Sequence, residues 1–310
     1  MAIDIIAVGE PLYEFNRQPD GRFLQGFGGD TSNVAIAASR LGARAAYATR
    51  LGHDMFGDAL LELWAEEGVD ASAVARDDAA PTGLYFVTHE GGGHQFTYRR
   101  EGSAASRMTA RDVPEQLIAQ ARYLHVSGIS QAISETAAAA VDHAIAIAIM
   151  AGAAISYDTN YRSKLWSAEL ARRSVERTAV HAAILKTSLE DAAALLQLRD
   201  PPEIARHFIG LGSKAVVVTL GAGGVLVATA SGSAVIAGFT VDAVDATGAG
   251  DAFTGALLAE LARGEELFAA SRFANAAAAL STLGYGAIAP LPRRADVVQF
   301  LAGQKQARRT

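Results

Sequence analysis

The sequence predicts an α/β fold, a parallel sheet sandwiched between helices with a small separate β-sheet beside it. Three observations carry that expectation. Apolar runs of strand length alternate with longer helical patterns through most of the chain. Several of those runs are apolar without interruption, as strands covered on both faces are. Two hairpin patterns fall outside the alternation.

The elements follow in order. Strands are predicted at 3–9 (IDIIAVG), 45–52, 123–128, 153–158, 182–188 and 214–220, with two more at 224–229 and 233–239. Helical spacing appears at 32–41, 55–67, 133–151, 168–180, 189–197 and 202–211, and Gly42 and Gly68 stand where helices commonly end. Further helices begin near 250, 266 and 293, and the closing GQKQARRT has the composition of a frayed end. The first hairpin pattern, 10–29, turns at Pro19-Asp20-Gly21, and the second, 83–101, turns at Glu90-Gly91-Gly92-Gly93. Together they either build a lid over the main sheet or extend its edge. No repeat and no low-complexity linker divides the chain, so residues 1–310 are expected to be one domain.

Composition removes several classes of function. Half of the 310 residues are hydrophobic and 19% are charged, which is ordinary for a soluble globular chain. A net charge of -6 argues against a nucleic-acid surface, which needs a basic stripe. With no cysteine there are no disulfides and no thiolate metal sites, which fits a reducing compartment. The opening MAIDIIAVGE lacks a basic n-region, and the Ala-rich stretch holding Asp142 and His143 reads as a buried helix rather than a membrane span. A cytoplasmic protein with no membrane partner is expected.

Familiar signatures fail one after another. There is no P-loop, no G-x-G-x-x-G after the first strand and no G-x-S-x-G elbow. HEGGGH (89–94) spaces its histidines five apart on a glycine turn, not four apart on a helix, so zinc is not expected. Three stretches hold. DATGAGDAFTG (245–255) places Gly248, Ala249 and Gly250 before Asp251 at the start of a helix. A plain turn explains those residues singly. The run together leaves bare amides that an anion can approach, with an acid placed to take the proton of an attacking alcohol. GFGGDTSN (26–33) puts Asp30 and Asn33 in a first helical turn, either as caps or as partners for sugar hydroxyls. TLGAGG (219–224) is either a tight hairpin turn or part of a nucleotide pocket.

These stretches resemble the two signatures of the ribokinase-like (PfkB) sugar kinases. Gly28-Gly29, Asn33, ASRLG and RLGHDMFGD match the first, and DATGAGDAFTGALLAEL (245–261) matches the second. The resemblance implies a three-layer α/β/α ribokinase-like sandwich with a small β-sheet lid, built from about 11–28 and 82–102. It implies transfer of the γ-phosphoryl group of ATP to a sugar hydroxyl, with Asp251 as base and Gly248, Ala249 and Gly250 as the anion hole. It places Thr219, Gly221 and Gly224 around the nucleotide and Asn275 near the adenine. Asp245 and Thr247 are expected to hold a monovalent cation, potassium. The family's N-x-x-E element departs here: Ser188 stands for the Asn and Asp191 for the Glu. Magnesium, linked through water, is therefore expected at Asp191 with Glu190 sharing the role.

The choice of sugar turns on arginines. FTYRREGSAAS (96–106) offers Tyr98 and Arg100 on one face of a strand, and DTNYRSKLW (158–166) offers Arg162 at a strand's carboxyl end, where open α/β sheets bind ligands. Two converging arginines suit a carboxylate. Alternatively, Arg162 pairs with Asp158 or Asp30 and Arg100 is solvated. GEP, GGDTSN, TGLYF, Y-x-R with GSAAS, LHVSGI and DTNYRxxLW are similar to the 2-keto-3-deoxygluconate kinases. That likeness implies that Gly29, Asp30, Asn33, Tyr85, Tyr98, Arg100 and Arg162 bind the keto acid, whose terminal hydroxyl receives the phosphoryl group. Fructokinases share much of the same pattern and are the rival reading. A non-catalytic sugar-binding module is the alternative from another class, and an intact Asp251 argues against it. The unpaired lid edge offers a surface for a homodimer or higher homo-oligomer.

Overall fold

The computed structural model describes residues 3–90 and 93–307. Its strands in chain order are β1 (Ile5–Val8), β2 (Leu12–Arg17), β3 (Phe23–Gly28), β4 (Ala45–Ala48), β5 (Arg50–Gly52), β6 (Ala75–Asp77) and β7 (Leu84–Glu90). They continue with β8 (Gly93–Arg99), β9 (Tyr123–Ser127), β10 (Ala154–Asp158), β11 (Ala182–Ser188), β12 (Ala215–Thr219), β13 (Gly224–Thr229) and β14 (Gly232–Ala237).

Eight strands form the large sheet in the order β14-β13-β12-β11-β10-β9-β1-β4. From β12 to β4 every pairing is parallel, and β13 and β14 complete the edge antiparallel. The parallel strands are almost wholly buried because helices cover both faces. Val141, Ala144, Val175 and Phe208 pack from one side, and Val34, Phe253, Leu257 and Phe273 from the other. The result is three layers. The chain leaves β1 toward β4 on one side and later builds β9 to β12 on the other, so the strand order reverses at β1. Such a switch point opens a crevice at the carboxyl ends of the strands.

The two hairpins form a sheet of their own, β3-β2-β7-β8, instead of extending the large one. Parallel pairing of β2 with β7, Tyr13 opposite Leu84, joins them. One face is aromatic: Phe15 stacks on Phe86 with centroids 5.3 Å apart, and Phe23 and Phe56 pack edge-on against Phe15. The Gly91-Gly92 turn and the side chains of His89 and His94 lie outside the described residues.

Three sequence expectations need correction. The strand expected at 45–52 breaks at Thr49, and its second half, β5, pairs with β6 in a separate ribbon. The Arg50 guanidinium draws the chain there by binding Asp77 at 2.8 Å and Asp112 at 3.0 Å. The helix expected from 133 starts at Glu135, because the Ser134 hydroxyl accepts from the Ala137 amide and caps it. The closing segment is helical through Ala307, and residues 308–310 of the expected frayed end lie outside the described residues.

Candidate active site

A cavity of about 770 Å³ opens between the small sheet and the carboxyl edge of the large one. The ends of β1, β9, β10 and β11 supply its floor, β7 and β8 one wall, and the start of the helix Ala249–Arg263 another. Most of the sequence-derived site residues meet here: Gly29, Asp30, Asn33, Tyr85, Tyr98, Arg100, Arg162, Glu190, Asp191, Thr247, Gly248, Gly250 and Asp251 all line it.

The helix Ala249–Arg263 begins at Gly248, whose φ of 74° is strained for other residues, and no side chain caps it. Its exposed end is therefore an electropositive wall of the cavity. Gly250 has a different reason to be glycine. A Cβ there would lie 3.3 Å from the Lys186 Nζ. Ala249 is not among the lining residues, and its amide donates to the Ala246 carbonyl at 3.2 Å.

Asp251 sits in the first turn, its Oδ2 accepting from Asn33 Nδ2 at 2.8 Å. Burial pushes its carboxyl up to about 7, aided by the negative charge of Asp30 and opposed by the Asn33 bond and Lys186. A carboxyl with that value exchanges a proton with an alcohol at neutral pH far better than an ordinary aspartate does. Asp30 accepts from the amide of Thr31 and from Asn160 Nδ2 at 2.7 Å. Asn160 holds φ at 34°, a conformation few non-glycine residues adopt, and its bond to Asp30 helps to fix it.

Behind this pair lies an ion pair that the motifs did not announce. Lys186 Nζ is 2.7 Å from Asp158 Oδ2, and both side chains are buried. Burial disfavours the Lys186 ammonium, yet the charge and hydrogen bond of Asp158, with Asp251 and Asp191 beyond, raise its pKa above the usual lysine value. The signal was present, since a lysine inside the apolar run AAILKTS is rarely buried without a partner.

On the facing wall the Tyr85 hydroxyl donates to the Glu14 carboxylate. Tyr98 stacks on Tyr85 with centroids 5.9 Å apart, and the Arg100 guanidinium lies 4.8 Å over the Tyr98 ring. Arg100 is not solvated: it is ion-paired with Glu10, a buried residue just past β1. Arg162 pairs with neither Asp158 nor Asp30, which are taken by Lys186 and Asn160. It is exposed at the rim and donates to the Tyr161 carbonyl at 2.9 Å. Three buried polar atoms on cavity residues have no hydrogen-bond partner: Glu10 Oε1, Asn33 Oδ1 and Arg100 Nε.

Metal-related residues divide. Ser188 caps the helix Leu189–Leu196 by accepting from the Asp191 amide. Asp191 is itself occupied, with Oδ2 accepting from Thr159 Oγ1 at 2.8 Å and the Tyr161 amide at 3.0 Å. Glu190 is exposed to the cavity. Among the described residues no group of three or more His, Asp or Glu side chains could hold a metal. The chain thus fits a magnesium ion held mainly by water and phosphate, with Glu190 and Asp191 nearby, and not one caged by protein. Asp245 lies behind Thr247, taking its amide and hydroxyl on Oδ1 and the Gly286 amide on Oδ2.

Of the expected nucleotide residues, Gly248 and Gly250 line the cavity, while Thr219, Gly221, Gly224 and Asn275 stand apart from its lining. Thr219 donates to the Thr187 carbonyl, at 3.5 Å. Gly221 opens the turn joining antiparallel β12 and β13, so the tight-hairpin reading of that stretch describes its geometry. A Cβ on Gly224 would meet the Ile236 carbonyl at 2.1 Å, and Asn275 Nδ2 donates to that same carbonyl at 3.0 Å. Asn275 thus ties β14 to the helix Leu267–Ser281, and Gly224 lets β14 approach β13 closely.

Among the described residues no helix is long and apolar enough to cross a membrane. The profile of the pfkB family carbohydrate kinases matches residues 1–294. The chain is 35% identical to the probable fructokinase-3 of Arabidopsis thaliana, covering 97% of this chain and 92% of that one. It is 36% identical to the 2-dehydro-3-deoxygluconokinase of Thermoproteus tenax, covering 95% and 93%. The fructokinase of Xylella fastidiosa with bound ATP superposes with a TM-score of 0.90 at 28% identity, covering 98% of this chain and all of that one (100%).

Proposed function

The chain belongs to the pfkB family of carbohydrate kinases, and we propose that it phosphorylates the terminal hydroxyl of 2-keto-3-deoxygluconate or a closely similar sugar acid. The observation that carries the reaction is Asp251, half-buried at an uncapped helix N-terminus with its carboxyl near 7. The observation that favours an acid is Arg162, exposed among the cavity residues and without a salt bridge among the described residues.

The reaction is an in-line displacement. The sugar's hydroxyl oxygen forms a bond to the γ-phosphorus of ATP as its proton passes to Asp251 Oδ, and the bond from phosphorus to the β,γ-bridging oxygen breaks to release ADP. Asn33 orients Asp251 for that transfer. The amide end of the helix and the Lys186 ammonium face the place where charge collects. Magnesium, when bound, would neutralise phosphate charge beside Glu190 and Asp191. A monovalent cation near Asp245 and Thr247 belongs to the same proposal, as do nucleotide contacts from Thr219, Gly221, Gly224 and Asn275. The small sheet acts as a lid that closes on the sugar and expels competing water. Its exposed edge strand, with Phe23 and Leu24 about half exposed, is the surface for a homodimer.

Fructose is the second reading, favoured by the relatives named fructokinase and by the neutralisation of Arg100 by Glu10. A coupled ADP-release assay decides. A specificity constant at least about tenfold higher for the keto acid than for fructose supports the proposal, and Arg162→Ala should then erase most of that difference. Equal or better turnover of fructose would transfer the assignment to fructokinase.

A further inference from the structure

We propose that Glu10 selects the kind of group read at the sugar end of the cavity: paired with Arg100, it turns that arginine into a hydroxyl reader and leaves Arg162 as the carboxylate reader. The inference rests on the sugar-kinase reading above and assigns roles within it.

Glu10 follows β1 at the switch point of the sheet, and its side chain has no exposed surface, against 14% for Arg100. Oε2 accepts from Arg100 Nη2. Oε1 and Arg100 Nε remain buried, without partners, on residues that line the cavity. Unpaired buried polar atoms are costly, so an acceptor and a donor left open on one ion pair mark a place where a ligand completes the bonding. A hydroxyl suits either atom, since it can donate to Oε1 and can accept from Nε. A carboxylate cannot donate to Oε1, and it brings its charge against that of Glu10. Burial pushes the Glu10 carboxyl up, and the charge of Arg100 opposes that push.

Arg162 lies in the opposite situation. Its side chain is exposed at the rim, it forms no salt bridge among the described residues, and its bond is to a neighbouring backbone carbonyl. Its charge acts on Asp191 through space but is not cancelled by a direct ion pair. The pocket therefore holds one guanidinium paired in advance and one exposed at the rim, which matches a ligand with several hydroxyls and one acid group.

The test compares affinities for 2-keto-3-deoxygluconate and fructose by calorimetry without ATP, so that it does not depend on turnover. In Glu10→Gln the released Arg100 charge should raise the ratio of keto-acid to fructose affinity at least about tenfold. Adding Arg100→Ala to that variant should return the ratio to within about threefold of the starting protein. A ratio unchanged in Glu10→Gln, with both affinities falling together, would assign Glu10 a purely structural role and overturn the proposal. Should Glu10→Gln fail to fold, Arg100→Ala alone decides. Weaker fructose binding with a ratio shifted less than about threefold supports the inference, and selective loss of the keto acid contradicts it. Turnover measured in parallel separates the two levels: wild-type protein that binds sugar without forming ADP would sink the kinase reading, while the ratio would still judge Glu10. Binding of neither sugar would contradict both.

Discussion

Asp251 stands between opposing influences, and its chemistry follows from which wins. Burial and Asp30 favour the protonated form, Asn33 and Lys186 the ionised one, and the balance rests near 7. The base is active when ionised, so kcat/KM should fall about tenfold per pH unit on the acid side of that value. A profile flat down to pH 5 would contradict the role. The residues behind this behaviour were unevenly visible in the sequence. Asp251, Asn33 and Asp30 were legible because each follows small or glycine residues at a helix start, where bare amides and a polar side chain suit an anion beside a hydroxyl. Glu10 and the tie from Asn160 to Asp30 were not, because each joins residues far apart in the chain, and the buried Lys186 announced a partner without naming it. Only the fold reveals that Asp158 answers Lys186 and that Arg100 already has a counter-charge.

At the scale of elements, the helix Ala249–Arg263 and the strand β11 work as a pair. Gly250 does not need glycine for its backbone, since its φ is not positive, and alanine there would favour the helix. The space over Gly250 belongs to Lys186. Gly250→Ala should therefore leave thermal stability unchanged or higher and lower kcat about tenfold or more by displacing the ammonium from the site of charge development. Unaltered kcat would contradict the claim that the added methyl displaces the ammonium from its working position. Elements were the most legible part of the chain, because apolar runs with strand or helix periodicity state their own burial. The failures had local causes: Arg50, drawn to Asp77 and Asp112, ends one strand and starts another, and Ser134 sets a helix start that periodicity places two residues early.

Across the whole molecule the same burial that tunes the site shapes stability. His125 lies in the core on β9, its Nδ1 3.1 Å from Ser156 Oγ, and burial lowers its pKa from 6.5 to about 4. The unfolded chain takes up that proton first as pH falls. The stability tied to neutral His125 is thus complete above about 6.5 and is lost between there and 4, on the order of 3 kcal/mol. His125→Gln should flatten the fall in melting temperature over that window; an identical fall would contradict it. Asp251 has the opposite sign. Its raised pKa gives a contribution complete below 3.8 and lost as pH rises through about 7, so the working enzyme carries the cost of a buried carboxylate. Replacing Asp251 with asparagine is the most direct test of the account, because it should move two quantities in opposite directions. Turnover should fall by about a thousandfold to ten-thousandfold while the melting temperature at pH 8 rises and ATP still binds. Turnover above half of the wild-type rate would contradict the central claim that this carboxylate takes the proton of the attacking hydroxyl.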